Sequence, residues 1–227
     1  MVEIIPVLDL MSTIAVSGKS GNRKEYKPLK SVYSNDSNPV SIAKSLKFNG
    51  YNEIYIADLD LIERKGNNLD SIKMINSFIP VVLDCGIRNF KEFNFFLDFA
   101  YKLIIATETL SSIDDLKSIF NKFPKERIVI SVDIKDGKLY SKSNDFNLNL
   151  EEFNEILLEL DPNEIILLDI SKVGTFTGID ENLINSFSKF KDKLTLGGGL
   201  SEKDFSKLDE LDIKKVLVGS AVHNGSV

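Results

Sequence analysis

Ile4-Ile5-Pro6-Val7-Leu8-Asp9-Leu10, near the start of the chain, returns as Ile128-Val129-Ile130-Ser131-Val132-Asp133-Ile134 roughly half a chain later. Each is a short apolar run that reads as a strand buried on both faces. Each ends in an aspartate for which such a strand has no packing use. The repetition extends outward from this pair. Glu53-Ile54-Tyr55-Ile56-Ala57-Asp58-Leu59 echoes Glu164-Ile165-Ile166-Leu167-Leu168-Asp169-Ile170, and Leu103-Ile104-Ile105-Ala106-Thr107 echoes Val216-Leu217-Val218-Gly219-Ser220, each pair about 110 residues apart. Two equivalent halves, each placing an aspartate at a strand's carboxyl end, would set a pair of carboxylates facing each other over one site.

Between the apolar runs lie segments of helical period, and the two kinds alternate along the chain, the order that parallel strands joined by crossover helices require. Asn149 with Glu152 forms a capping signature ahead of Phe153, Ile156, Leu157 and Leu160 on one face. Asn89 with Glu92 repeats it ahead of Phe93, Phe96, Leu97 and Ala100. Asn38-Pro39 starts a helix carrying Ile42, Ala43 and Leu46, with proline at the favoured first position. Others are predicted from near Asn68, Ser112, Asp180 and Ser201. The predicted strands run over residues 3–8, 54–57, 80–83, 102–106, 128–132, 164–168, 193–196 and 215–218. Eight parallel strands halved by an internal repeat predict an α/β fold, a single (β/α)8 TIM barrel over residues 1–227, with half-barrels of about 1–112 and 113–227. Only a few residues follow the last strand, so the final helix is expected to be short or absent.

The bulk composition limits the function classes. At 227 residues the chain suits one large core. With 43% apolar and 27% charged residues it has an ordinary globular composition. A net charge of −6 gives phosphate-backbone binding no global support, so nucleic acid is not an expected partner. The lone Cys85 excludes an internal disulfide framework and suits a reducing compartment. The Met-Val-Glu start leads straight into a strand and no apolar run approaches ~20 residues, so the expectation is a cytoplasmic protein with no membrane partner. His223 is the only histidine, which argues against histidine metal sites and a Ser-His-Asp relay, and no metal is expected. It reads as a loop residue near the barrel rim.

In a barrel the chemistry sits at the carboxyl ends of the strands. Asp9 and Asp133 close the first and fifth strands, which stand opposite each other. Such a pair can take a proton from one part of a substrate and return one to another when the environment separates their pKa values. An aspartate after a strand can instead cap the next helix, and Asp58 and Asp169 lean toward that role of tying down loops. Gly197-Gly198-Gly199 after the seventh strand and Gly219-Ser220 after the eighth allow backbone amides to approach an anion, as in the usual barrel phosphate site. Gly198, Gly199, Gly219 and Ser220 are therefore the candidate phosphate-binding residues. The matching stretch of the first half is Asp84-Cys85-Gly86-Ile87-Arg88, which sets a carboxylate where an anion would sit, with Arg88 as a compensating cation. Cys85 reads as packing. Residues 11–37 are cationic and poor in apolar side chains, and read either as a loop that closes over an anionic substrate or as a solvated one. Gly18-Lys19-Ser20 lacks the spacing of a Walker loop. Phe90, Phe95 and Phe99 either fill core space or mark a subunit contact.

Taken in order, Ile5-Pro6-Val7-Leu8-Asp9-Leu10, Ala57-Asp58-Leu59-Asp60, Cys85-Gly86-Ile87-Arg88, Ser131-Val132-Asp133, Asp169-Ile170 with Gly174-Thr175-Phe176-Thr177-Gly178, Gly197-Gly198-Gly199 and Gly219-Ser220-Ala221 resemble the histidine-biosynthesis barrel family. That family contains ProFAR isomerase and the cyclase subunit of imidazole glycerol phosphate synthase. The resemblance runs nearly end to end. It implies aldose-to-ketose isomerisation of a phosphorylated aminosugar by an Amadori rearrangement, with Asp9 and Asp133 as base and acid and with no cofactor. It also implies substrate contacts from Arg23, Asp58, Arg88, Thr107, Asp169, Gly174 and Thr175, and a small phosphorylated sugar as the partner of a monomer or weak homo-oligomer.

The chain departs from the family pattern in four places. Asp84-Cys85 replaces a Gly-Gly pair that holds one of two substrate phosphates. Leu168 replaces a threonine that assists catalysis, the arginine expected near Ser17 is offered only at Arg23, and the tryptophan that covers substrate has no counterpart. Two further readings therefore stand beside the first: a divergent paralogue acting as isomerase or lyase on a one-phosphate substrate, and a non-catalytic phosphometabolite-binding subunit.

Overall fold

A computed structural model describes residues 2–17, 25–173, 175 and 178–227. Eight parallel strands close a barrel: β1 (Glu3–Met11), β4 (Ile54–Asp58), β5 (Val81–Asp84), β6 (Lys102–Ala106), β7 (Ile128–Lys135), β9 (Ile165–Asp169), β10 (Leu194–Gly197) and β11 (Lys215–Val218). Closure comes from β11 pairing in parallel with β1, Ile5 opposite Leu217 and Pro6 opposite Val218. The predicted TIM barrel is the observed fold, and the predicted strands match to within a few residues at each end.

The strands are apolar on both faces because each packs in two directions. Outward side chains such as Leu8, Ile56, Leu83, Ile105, Ile130 and Leu167 join the helix-facing core. Inward ones such as Ile5, Tyr55, Val82, Ile104, Val129, Ile166 and Leu217 fill the barrel itself. Successive strand residues point to opposite faces, so parity along each run fixes which side chains reach the mouth. Asp9 follows inward Ile5 and Val7 by steps of two. Asp133 follows inward Val129, and Asp84 follows inward Val82. Asp58 and Asp169 fall on the outward parity, in step with Ile56 and Leu167.

The helices start where their caps dictate. Asn38 accepts from Val40 and Ser41 amides at the head of α1 (Pro39–Phe48), and Ser112 caps α5 (Ile113–Lys122). Asn149 and Glu152 form the complete capping box of α6 (Leu150–Leu160). At α4 (Phe90–Phe96) the cap is displaced by one residue: Asn89 accepts from the Glu92 amide, but the Glu92 carboxylate accepts from Arg88. Phe93 packs within the core, whereas Phe95 projects outward, 60% exposed, against Phe96 and Phe99. The final helix is reduced to α9 (Ser220–His223).

Two segments differ from the sequence-based reading. Within residues 11–37 the chain forms β2 (Ile14–Ser17) and β3 (Lys27–Pro28), a ribbon continuing antiparallel from β1, rather than irregular loop throughout. β7 runs past Val132 into an antiparallel hairpin with β8 (Lys138–Leu139). Its turn residues Asp136 and Gly137 both have positive φ, the backbone that a two-residue hairpin turn requires and that Asp-Gly supplies. Among the described residues no helix is long and apolar enough to cross a membrane.

Candidate active site

At the carboxyl ends of the strands lies a cavity of about 650 Å³ lined by Asp9, Asp84, Asp133, Glu63, Glu108, Lys135, Tyr26, Tyr55, Tyr140 and Leu168, among others. It adjoins a smaller lobe of about 160 Å³ lined by Gly198, Gly199, Gly219, Ser220, Val7, Ser17 and His223. Asp9, Tyr55, Leu168 and Val173 line both, so the two lobes form one continuous site. Asp9 and Asp133, from strands on opposite sides of the barrel, therefore face the same space.

Asp133 is 3% exposed and is held by neutral donors. Its Oδ2 accepts the Glu108 amide at 3.0 Å and its Oδ1 accepts the Ser131 hydroxyl at 3.0 Å. Its own amide donates to the Thr107 hydroxyl at 3.0 Å. Burial, aided by the negative charges of Asp84 and Glu108, outweighs these hydrogen bonds and pushes its pKa up to about 7. A carboxyl group with that pKa exchanges its proton near neutrality, the condition for acid or base work.

Tyr55 stands between the lobes. Its hydroxyl donates to Asp84 Oδ2 at 3.4 Å. Burial and the nearby charges of Asp84, Asp9 and Asp133 push its pKa well above the ordinary range, so it remains a hydrogen-bond donor. Sequence reasoning missed Tyr55, although inward parity in an otherwise apolar run marks it. Tyr140 and Lys135, brought in by the unpredicted β7–β8 hairpin, were missed for the same reason as the hairpin itself.

The glycine loops meet at the small lobe. Gly198 has φ +106, and a Cβ there would lie 2.6 Å from the Asp169 carbonyl. At Gly199, with φ +67, a Cβ would lie 2.5 Å from the Lys172 carbonyl. These glycines let the loops after β9 and β10 approach more closely than any side chain permits. Ser220 is exposed in this lobe. His223 belongs to α9 rather than a rim loop. It is buried, with Nε2 donating to the Val7 carbonyl at 2.8 Å and Nδ1 paired with Ser31 Oγ at 3.0 Å. Burial lowers its pKa.

The remaining described candidates do not line the cavity. Asp58 is fully buried on the outward side, accepting from Leu61 and twice from Asn68, and clamps the loop after β4. Asp169 accepts from the Ser171 amide and pairs with Lys172 at 3.7 Å, behind the glycine loop. Arg88 donates to the Gly86 and Ile62 carbonyls, both at 2.7 Å, and lines a separate surface pocket with Cys85, Phe95 and Phe96. Thr107 is buried against Asp133 and the Tyr140 carbonyl, so it positions the aspartate instead of reaching the open space. Thr175 donates to the Lys172 carbonyl. Arg23 and Gly174 lie outside the described residues.

A closed barrel whose mouth carries inward aspartates beside a glycine-lined lobe has the layout of the barrel enzymes, which work at the carboxyl ends of their strands. The sequence pattern of the family described as "Histidine biosynthesis protein" matches residues 3–227, and the chain belongs to that family. It is 39% identical to an uncharacterized protein of Methanocaldococcus jannaschii over 98% of this chain and 94% of the relative. It is 31% identical to the 1-(5-phosphoribosyl)-5-((5-phosphoribosylamino)methylideneamino) imidazole-4-carboxamide isomerase, or ProFAR isomerase, of Nitrosopumilus maritimus, over 99% of this chain and 95% of the relative. The isomerase of the same name from Cenarchaeum symbiosum is 27% identical over 99% and 96%.

Proposed function

We propose that this protein is an isomerase of the ProFAR-isomerase type, converting a phosphorylated aminosugar from its aldose to its ketose form. The observation that carries this reading is the convergence of Asp9 and Asp133 on one cavity beside a glycine-lined lobe suited to a phosphate. In the proposed reaction the phosphate is received by the amides and hydroxyl around Gly198, Gly199, Gly219 and Ser220. This anchors the sugar so that its ring oxygen and C2 lie between the aspartates. Asp133, protonated near neutrality, donates its proton to the ring oxygen as the C1–O bond breaks and the amine lone pair forms C1=N. Asp9 takes the proton from C2, and the C2–H electron pair becomes the C1=C2 bond of an enaminol. Return of a proton to C1 and loss of the C2 hydroxyl proton yield the aminoketose. The hydrogen moves as protons throughout, which two carboxyl groups can carry.

The test is turnover by purified protein of ProFAR and of a ribosylamine carrying a single phosphate, followed by NMR for appearance of the ketose. Conversion that disappears in Asp9→Asn and in Asp133→Asn supports the reading. Unchanged rates in both variants overturn the assigned roles. Complementation of a histidine-requiring strain lacking the isomerase reports the same activity in cells.

A further inference from the structure

The two halves of the barrel present anion sites of opposite character. In the second half the loop after β10 is Gly197-Gly198-Gly199, and the residue after Gly219 is exposed Ser220. At the corresponding places of the first half the Gly86 amide, Arg88 and Thr107 are engaged elsewhere. The Gly86 amide donates to Asp84 Oδ1 at 3.0 Å, so the loop's own carboxylate occupies the donor an anion would need. The Arg88 guanidinium donates to the Gly86 and Ile62 carbonyls and faces a different pocket. Thr107, the counterpart of Ser220, is 2% exposed and committed to Asp133 and Tyr140. Yet the larger lobe, about 650 Å³ against about 160 Å³, is lined from both halves of the barrel and reaches Asp84, so a sizeable part of the substrate has space beside that residue. The charged and phenolic groups lining that part include Asp84, Glu63, Glu108, Tyr26, Tyr55 and Tyr140, with Lys135, its ammonium 5.2 Å from the Tyr140 ring centre, as the cation among the described residues. Like charges brought together at a partly buried site repel, whereas a hydroxyl or amine offers the hydrogen that a carboxylate accepts.

We propose that the substrate carries a single phosphate, bound at the β10 and β11 loops, and that Asp84, positioned by Tyr55 and the Gly86 amide, is the specificity residue that accepts a hydroxyl or amine hydrogen and rejects a second phosphate. This rests on the aldose-ketose reading only in taking the glycine lobe as the phosphate end. The ProFAR isomerases that the chain resembles act, by their name, on a molecule with two phosphoribosyl groups. Asp84 thus assigns this chain a different substrate within the same reaction class.

Calorimetric binding of ribose 5-phosphate and of ribulose 1,5-bisphosphate to the full chain tests it. The monophosphate is expected to bind roughly tenfold or more tightly than the bisphosphate, the size of discrimination a like-charge contact provides. Asp84→Asn and Asp84→Gly are both expected to narrow that ratio by raising bisphosphate affinity, while Ser220→Glu removes binding of both. Preference of the unaltered chain for the bisphosphate overturns the single-phosphate assignment but leaves the glycine lobe as an anion site. Failure of both ligands to bind overturns the phosphate end itself, and the function built on it. An unchanged ratio in folded Asp84 variants removes Asp84 from the role.

Discussion

The two rims of this barrel solve the same problem in opposite ways. At the amino end the inward carboxylates of Glu53 and Glu164 are bridged by Lys102, at 3.2 and 2.7 Å, with Thr195 donating to Glu164 and Lys215 4.0 Å from Glu53. Burial disfavours the Lys102 charge, but the two glutamates outweigh it and hold its pKa above the ordinary value. At the carboxyl end Asp133 is held by an amide and a hydroxyl, neutral donors that orient it without cancelling its charge, and its pKa is pushed up to about 7. A carboxylate paired with a lysine serves the fold. One held by neutral dipoles at a buried position remains able to exchange a proton, and costs stability when ionised.

The strongest way to break this contrast is Asp133→Asn, which keeps the shape and removes the titrating group. Turnover of the aminosugar is expected to fall by ~10²–10⁴, the usual worth of a positioned acid or base. The same variant is expected to gain stability above neutral pH. Because burial raises the native pKa of Asp133 from 3.8 to about 7, the folded chain binds the extra proton between those values. Its stability therefore declines as pH rises through that window and levels off above it. Urea unfolding at pH 8 should show Asp133→Asn more stable than the unaltered chain by a few kcal/mol, converging with it near pH 4. Equal stability at both pH values would mean that Asp133 does not bear the burial cost. With Asp133 as the acid, kcat of the unaltered chain is expected to decline as pH rises past about 7.

Removing the bridge at the other rim has the complementary signature. Lys102→Met leaves Glu53 and Glu164 facing each other without their shared cation, and Glu53 Oε1 already has no hydrogen-bond partner. A loss of about 2–3 kcal/mol is expected, less than for a fully buried pair because these side chains retain some solvent contact. That corresponds to a melting temperature lower by roughly 5–10 °C for a domain of this size. Calorimetry gives the shift, and kcat at a temperature where the variant is folded should be unchanged. A large drop in kcat with little thermal effect would reverse the assignment of the two rims.

Much of this arrangement is legible in the sequence, and parity explains both what was read and what was missed. The repeated apolar runs determine the strand order, and the cap residues Asn38, Ser112 and Asn149 mark helix starts. Asp9 and Asp133 are recognisable because they recur at the same step of the same run. Asp58 and Asp169 recur as well, but on the outward parity, so recurrence alone could not separate a cavity residue from a loop clamp. Tyr55 lies on the inward parity and was passed over because an aromatic in an apolar strand resembles core. Engagement of Arg88 by two carbonyls depends on the course of the β4 and β5 loops, which local sequence does not encode. The polar composition of the ribbon after β1 hides it among apolar runs, whereas Asp136-Gly137 is a readable hairpin signal.

The finest adjustment of the contrast is Ser131→Ala. The Ser131 hydroxyl donates to Asp133 Oδ1 and favours its ionised form, lowering the pKa against the larger effect of burial. Its loss leaves burial less opposed, so the Asp133 pKa should rise further, by about half to one pH unit given the worth of a hydrogen bond to a charged acceptor. If Asp133 supplies the proton, the decline in kcat with pH moves to higher pH, and the variant is faster than the unaltered chain at pH 8.5 while little changed at pH 6. If Asp133 instead acts as the base, the rising limb moves the same way and the variant is slower at pH 6–7. One pH profile therefore decides which role the buried aspartate plays. A profile that does not move would show that the Ser131 hydroxyl is not what holds this carboxylate in its ionised form.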